Sequence, residues 1–368
     1  MTEEKRYQVA LSLVSGIGPV LAKQLINHFE TPKAVFQATK GKVAKVNGMG
    51  KKLAALLGSH EKLLREADTI IERSEKAEIH IHFYKESSFP ERLRMIQDAP
   101  IVLYSKGPVD LNPKKTLGVV GTRRATRYGL QQTEEMVRQA GEHIDVLISG
   151  LAYGIDVKSH QEALTQEIPT IGVLACGLDH VYPTQHRQIA EKMLEKGGLV
   201  SEYPIGIKAD ARLFPARNRI IAGLSDALVV VEAARKGGAL ISANLAHGYD
   251  KPVFAVPGEL GKTYSEGCNM LIRNLKASIY TGFKDIVEAM NWDLPEKKDL
   301  KNSPELFNTL SPEEKHIINI LYKNGQKMQI DELSWQCEIP LNKMANMLLQ
   351  LEFSGHVRQL PGKAYEIC

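Results

Sequence analysis

Residues 214–244 read FPARNRIIAGLSDALVVVEAARKGGALISAN and contain, in order, a cationic helical run, an apolar strand and a glycine turn that opens a second helix. The run from Ala227 to Val231 has the length and β-branched content of a strand buried on both faces, as in a parallel sheet covered by helices. Lys236, Gly237 and Gly238 follow this strand and precede a helical run from Ala239 to Ala246. Free backbone N–H groups at a helix N-terminus, with a lysine beside them, are suited to an anion. Just upstream, Arg212, Phe214, Arg217, Asn218 and Arg219 set three cations and an aromatic ring around an amide.

The same alternation continues on both sides. Strand-like runs at 116–121, 145–150, 170–177, 198–203, 226–233 and 252–258 are separated by helical segments. This order predicts an α/β fold with a Rossmann-like, doubly wound, mostly parallel sheet, whose ligands sit outside the carboxyl ends of the strands. Those ends carry GTRRATRYG (121–129), GLAYGID (150–156), CGLDHVYPTQH (176–186), SEYPIG (201–206), EAARKGG (232–238) and PGEL (257–260). One rim therefore collects Arg123, Arg124, Arg212, Arg217, Arg219 and Lys236, with Phe214 as a stacking surface. Guanidinium groups match phosphate forks, and an aromatic face accepts any base. An internal use competes: Asp156, Asp226 and Glu232 are candidate partners for Arg217 and Arg219, and about one or two of the six cations are expected to be struts.

The flanks differ in character. VSGIGPVLAKQL (14–25) overlays VNGMGKKLAALL (46–57) at an offset of 32 residues. Gly16 and Gly18 in the first copy, and Gly48 and Gly50 in the second, make a sharp turn before a helix. Lys51 and Lys52 follow the second turn. The pattern resembles the helix-hairpin-helix motif, which implies sequence-independent contact with the DNA backbone; a small bundle with a solvated basic face is the alternative. Residues 1–65 carry eleven cations against four acids. A helix is expected over 61–77 and a short strand over 79–84. Residues 291–305 are polar and proline-punctuated, as a linker is. Residues 306–368 read as three helices and a hairpin turning at 361–363, an order that resembles a winged helix. Its third helix offers only Lys343, and the segment has six cations against seven acids, a poor balance for tracking phosphates. A protein-contact or accessory role is expected there. The expected organisation is thus a helix-hairpin-helix domain at 1–65, a core at 66–290, a linker at 291–305 and a winged helix at 306–368.

A chain of 368 residues is too long for one core. Its 43% hydrophobic and 24% charged residues are ordinary for a soluble globular protein, and a net charge of +4 permits a nucleic-acid partner without requiring one. Cys176, Cys268, Cys337 and Cys368 are scattered and form no CxxC pair, so a reduced cytoplasm is expected, without a zinc ribbon or disulfide framework. The acidic N-terminal stretch lacks the pattern of a signal peptide, and no run has the length of a membrane span. No ligand spacing implies a metal or a small cofactor.

GTRRATRYG, SGLAYGID, HQEAL, VLACGLDHVYP, SEYPIG, FPARNRIIAGLSDALVVVEA and AVPG occur in this order, and with them the sequence resembles the DprA or Smf family, DNA-processing protein A. The resemblance implies a Rossmann-like core that binds and protects single-stranded DNA, forms homodimers and helps load the RecA recombinase onto incoming DNA in natural transformation. It also implies DNA contact by Arg123, Phe214 and Lys236, with Arg217, Asn218 and Arg219 as contacts or supports. Thr126 stands where the family often has Ser, and His186 where it often has Asn.

The chemistry favours binding over catalysis. Gly261, Lys262 and Thr263 spell the end of a phosphate-binding loop, but Val256 occupies the place of its first glycine. No compact acidic cluster suits a two-metal nuclease. The rival is a Rossmann-like nucleotide-binding protein or a phosphoribohydrolase-type enzyme, whose glycine-rich turns KGGALISAN resembles; Glu232 is then the carboxylate to place. A third reading is a scaffold whose flanking modules matter more than its core.

Overall fold

The β-branched runs of the central region form strands β3 (Thr116–Val120), β4 (Val146–Ser149), β5 (Thr170–Val173), β6 (Gly198–Ser201), β7 (Ala227–Val230) and β8 (Val253–Ala255). They pair in parallel in the order β6-β5-β4-β3-β7-β8, and a short β9 (Ser278–Ile279) extends the β8 edge. On the other edge β1 (His80–Phe83) and β2 (Val102–Lys106) add antiparallel strands, with β2 paired to β6. The strand at β2 and the last parallel strand at β9 are additions to the sequence-based expectation. In this computed structural model residues 2–57, 60–292, 311–323, 327–354, 356–360 and 364–367 are described.

Each sheet face buries alternate residues of the same strand, the period of two that a strand imposes. Leu117, Val119, Leu147 and Val229 pack under helices α8 (Arg127–Ala140), α9 (Ile155–Thr165) and α14 (Phe283–Met290). Ile148, Val173, Leu228 and Val230 pack under α7 (Glu91–Arg94), α11 (Leu213–Leu224), α12 (Gly238–Gly248) and α13 (Glu266–Arg273). The crossovers run outward from β3 through α8, α9 and α10 (Arg187–Lys196), then return to β7 beside β3. That reversal places a topological switch point between β3 and β7, where the following loops diverge and leave a crevice.

The N-terminal helices are α1 (Glu3–Ser12), α2 (Pro19–Phe29), α3 (Pro32–Gln37), α4 (Lys40–Val43), α5 (Gly50–Leu56) and α6 (His60–Lys76). Gly16 and Gly48 both have φ of +85°, a region open to glycine at little cost. A Cβ on Gly16 would lie 2.9 Å from Leu53, and one on Gly48 would lie 3.6 Å from Leu21. Leu53 and Leu21 are themselves related by the 32-residue offset, so the repeat folds into two hairpins that clasp each other reciprocally. The boundary expected at residue 65 falls inside α6, whose Leu64, Ala67 and Ile70 complete the core of these helices. That core is continuous with Val102 and Tyr104 of β2, Leu199 of β6 and Met193 of α10.

The chain divides into two compact units, Met1–Leu294 and Pro295–Cys368. Asn291 and Trp292, assigned to a linker by composition, belong to the first unit: Trp292 is buried and its carbonyl accepts from Lys115 Nζ at 2.9 Å. Residues 293–305 of that expected linker, and the hairpin turn at 361–363, lie outside the described residues. The second unit contains α15 (Pro312–Lys323), β10 (Lys327–Gln329), α16 (Ile330–Gln336), α17 (Leu341–Phe353), β11 (Val357–Leu360) and β12 (Ala364–Ile367). Its antiparallel sheet, ordered β10-β12-β11, packs with the helices around Ile317, Leu321, Leu333, Leu348 and Leu351, the arrangement of a winged helix.

Candidate functional site

The switch point opens into a cleft of ≈ 570 Å³. One wall is the loop after β3, with Gly121, Thr122, Arg123 and Arg124; the other is the turn after β7, with Lys236, Gly237 and Gly238; the start of α11 closes one side. The first wall is held from behind by the β4–α9 loop. Gly154, at φ +78°, packs so closely that a Cβ there would lie 2.3 Å from the Thr122 carbonyl oxygen.

Charge and stacking surface meet at Phe214. The Arg123 guanidinium lies 5.1 Å from the centre of its ring and that of Arg217 lies 5.8 Å away, both within cation–π range. Arg123, Arg124 and Lys236 are exposed and form no ion pair among the described residues. Arg217 is buried on the cleft floor and donates from Nη1 to the Val173 carbonyl, while its Nε has no hydrogen-bond partner among the described residues. Burial pulls this guanidinium below its usual pKa and pushes the neighbouring Asp156 carboxyl above its own, each opposed by the attraction between the two. Asn218 Nδ2 donates to the Gly238 carbonyl at 3.3 Å and so ties α11 to the first turn of α12. Gly237 precedes α12 without any side-chain cap, leaving first-turn amides and the positive end of the helix dipole on the cleft.

The cations named from sequence do not all face this cleft. Residues two apart on an α-helix point roughly 200° apart, whereas those three or four apart share a side. Phe214, Arg217 and Asn218 accordingly line the cleft, and Arg219 lies on the far side of α11. There it is buried, with Nη2 paired to Glu202 and Nη1 donating to the Asp98 carbonyl. Arg219 is a strut, and its partners are Glu202 and Asp98 rather than Asp156, Asp226 or Glu232. Arg212 is also outside the cleft lining: its exposed guanidinium pairs with Asp210 at 2.9 Å. Asp226 is taken by Arg92 at 2.6 Å. Glu232 accepts from the Thr126 backbone N–H at 2.9 Å and from Thr126 Oγ1 at 2.6 Å, which fixes the start of α8. His186 is buried, with Nδ1 2.8 Å from the Leu151 carbonyl.

Two aromatic residues were not singled out from sequence. Tyr264 lines the cleft, and its carbonyl accepts from Ala233 N–H at 2.8 Å. Tyr182, in the loop after β5, sets its ring 5.8 Å from that of Phe214. An aromatic at a strand's carboxyl end was the available signal, but loop tyrosines carry no periodicity that marks them.

In the N-terminal hairpins Gly16, Gly18, Gly48, Gly50, Lys51 and Lys52 are all exposed. Four cations of that region are engaged elsewhere: Lys5 with Glu86, Arg6 with Asp68, Lys33 with Glu3, and Lys23 with the Gln97 carbonyl. Lys40, Lys42 and Lys45 remain exposed beside Lys51 and Lys52, so the second hairpin carries the basic face. In the winged helix Lys343 pairs with Glu313 at 2.6 Å, and Arg358 pairs with Glu366.

Fold and cleft together define a Rossmann-like α/β protein with an open, cationic, aromatic-lined site at its switch point. The family model of DNA recombination-mediator protein A matches residues 80–291; a SAM-like tandem helix-hairpin-helix model matches 9–57 and a DprA winged-helix model matches 302–363. The chain belongs to the DNA recombination-mediator protein A family, known as DprA or Smf. It is 32% identical to protein Smf of a Synechocystis species across 99% of this chain and 98% of that one. It is 36% identical to DNA processing protein DprA of Bacillus subtilis across 67% of this chain and 82% of the relative. The X-ray structure of Streptococcus pneumoniae DNA processing protein A superposes with a TM-score of 0.67 at 29% identity, covering 77% of this chain and 97% of that one. DNA processing protein A of Helicobacter pylori, described for its single-stranded DNA binding mode, superposes with a TM-score of 0.53 at 29% identity, covering 58% of this chain and 96% of that one. Among the described residues, no helix is long and apolar enough to cross a membrane.

Proposed function

We propose that the switch-point cleft binds single-stranded DNA, with phosphates held by Arg123, Arg124, Lys236 and the amides of Gly237 and Gly238, and with a base stacked near Phe214. The observation that carries this reading is the exposed Arg123 set over the Phe214 ring beside the uncapped start of α12. Stacking and phosphate contact read neither base edges nor sequence, so the expected binding is base-tolerant and salt-sensitive. The single-stranded DNA binding described for the Helicobacter pylori relative supports it. Arg217 and Asn218 position this surface. The exposed glycines and lysines of the second hairpin, Lys51 and Lys52 above all, form an auxiliary backbone contact, and the matching glycines Gly16 and Gly18 of the first hairpin contribute in the same way.

The cleft acts in binding rather than catalysis on this reading. A phosphoribohydrolase-type reaction needs a carboxylate facing one bound nucleotide, whereas both oxygens of Glu232 are occupied by Thr126. Family membership supports a cytoplasmic role in protecting incoming DNA and loading the RecA recombinase in natural transformation or recombination, with a second copy of the chain as a homodimer partner. Paired cations and the exposed Trp335 and Phe353 favour protein contact over DNA contact for the winged helix.

The test is a salt titration of full-length protein binding to an unstructured single strand. Arg123→Ala, Phe214→Ala and Lys236→Ala should each weaken binding by about 1–3 kcal/mol, and Lys236→Ala should make the salt slope shallower by roughly 0.7. A mononucleotide should compete poorly. Salt-insensitive binding, or three variants that bind as the unmodified protein does, would refute the site.

A further inference from the structure

Tyr182 is half-exposed, at 51%, yet its ring is held against Phe214 at 5.8 Å between centres with the planes tilted by 58°. Phe214 lines the switch-point cleft, while Tyr182 lines a separate hollow of ≈ 560 Å³ on the α10 side of the sheet. The two rings therefore form the border between the two depressions. A half-exposed tyrosine whose ring packs on a second aromatic is a stiff stacking platform, because packing has already restricted its rotamers.

The hollow has the charge that a continuing strand needs. Lys106, Lys208 and Arg187 line it, together with Asp179 and Glu191. Glu191 pairs with Arg187 at 3.0 Å, and Asp179 accepts from the Gly206 backbone N–H at 2.9 Å while lying 3.7 Å from Arg73 and 3.6 Å from His180. Both acids are thus engaged, and Lys106 and Lys208 form no ion pair among the described residues. A negative chain leaving the cleft past Phe214 meets first an aromatic face and then two uncompensated ammonium groups.

We propose that Tyr182 is a second stacking position, which takes the nucleotide next to the one at Phe214 and leads the strand into the α10 hollow, where Lys106 and Lys208 hold its phosphates. This rests on the reading of the cleft as a single-strand site. It makes the footprint longer than the switch-point cleft alone, so short and long strands should separate the two parts.

The experiment measures full-chain affinity for oligothymidylates of increasing length at several salt concentrations. Tyr182→Ala should bind the longer strands roughly tenfold more weakly, with Tyr182→Phe restoring the long-strand affinity. The double variant Lys106→Ala with Lys208→Ala should flatten the long-strand salt slope by about 1.4 and leave the shortest strand unaffected. Unchanged long-strand binding by both Tyr182→Ala and the double lysine variant overturns the extended path. If Lys236→Ala still weakens all lengths in that case, the cleft stands and only the path is wrong; if Lys236→Ala is also unchanged, the cleft reading falls with it.

Discussion

Arg217 and Arg219 show how much one residue's neighbourhood decides. The run FPARNR was legible as a cationic, aromatic cluster, but its composition gives both arginines the same chemistry. What separates them is the α-helical period: Arg217 shares a side with Phe214, and Arg219 is carried round to Glu202. The partner itself, on the loop after β6, could not be read from a linear pattern. Arg219→Ala leaves the buried Glu202 without its cation and should cost about 3–5 kcal/mol of stability, seen as a lower midpoint in urea unfolding. Lys236→Ala is exposed and should leave that midpoint unchanged while weakening DNA binding. His160 gives a pH test at the same scale. Its ring is buried, 2.6 Å from both Thr170 Oγ1 and the Gly150 carbonyl, and burial lowers its pKa from 6.5 to about 4. Between those values the unfolded chain binds more protons than the folded one, so stability falls as the pH drops through the window and the loss saturates below about 4. Urea titrations at pH 7 and pH 5 should show about 2 kcal/mol of this loss from His160, and His160→Gln should remove that part of the pH dependence.

Elements were the best-marked scale in the sequence, because a strand buried on both faces and a strand–glycine–helix turn each leave a local signature. The six strands from 116 to 258 were read that way; β2 and β9 were not, since β2 is buried along almost its whole length without alternation, between β1 and β6, and a two-residue strand carries no periodicity. The glycine turn that opens α12 was legible for the same local reason, and its proposed role as an anion site admits a test in which stability and binding move in opposite directions. Gly237 is extended, with φ 178° and ψ 166°, and a Cβ there meets nothing within 4 Å. Gly237→Asp therefore fits the backbone and supplies the missing N-cap carboxylate, which should stabilise the protein by roughly 0.5–1 kcal/mol. The same carboxylate occupies the amides and repels phosphate, so single-strand affinity should fall at least about tenfold. Measured together, a raised melting temperature with unchanged affinity would mean that the start of α12 does not meet the strand. The repeat at 14–25 and 46–57 was likewise visible as sequence, but the clasp of Gly16 on Leu53 was not, because it depends on how two hairpins pack. Gly16→Ala, at φ +85° and only 2.9 Å from Leu53 Cδ2, should cost about 1–2 kcal/mol.

Across the molecule, charge counting located the basic N-terminal region but could not say which cations are free. Lys5, Arg6, Lys23 and Lys33 are used to fix helices within the first unit, leaving Lys40, Lys42, Lys45, Lys51 and Lys52 exposed around the second hairpin. Nor could the sequence show that these helices share a core with β2, β6 and α10, since an apolar helix face does not name its neighbour. That shared core determines how the auxiliary contact must be tested: removing residues 1–76 would uncover Val102, Tyr104 and Leu199 and confound lost binding with lost folding. Charge should be removed from the full chain instead. Lys45→Gln, Lys51→Gln and Lys52→Gln alter only exposed side chains, so unfolding should be unaffected. If the hairpin holds the backbone, the triple variant should bind long single strands and duplex with a salt slope shallower by about 0.7 to 0.9 for each phosphate released. Its binding to the shortest strand that fills the switch-point cleft should not change. Lys236→Ala is the opposite control, weakening short and long single strands alike. Equal slopes for the triple variant and the unmodified chain on every substrate would assign the hairpins to structure and leave the cleft as the site that meets DNA in the first unit.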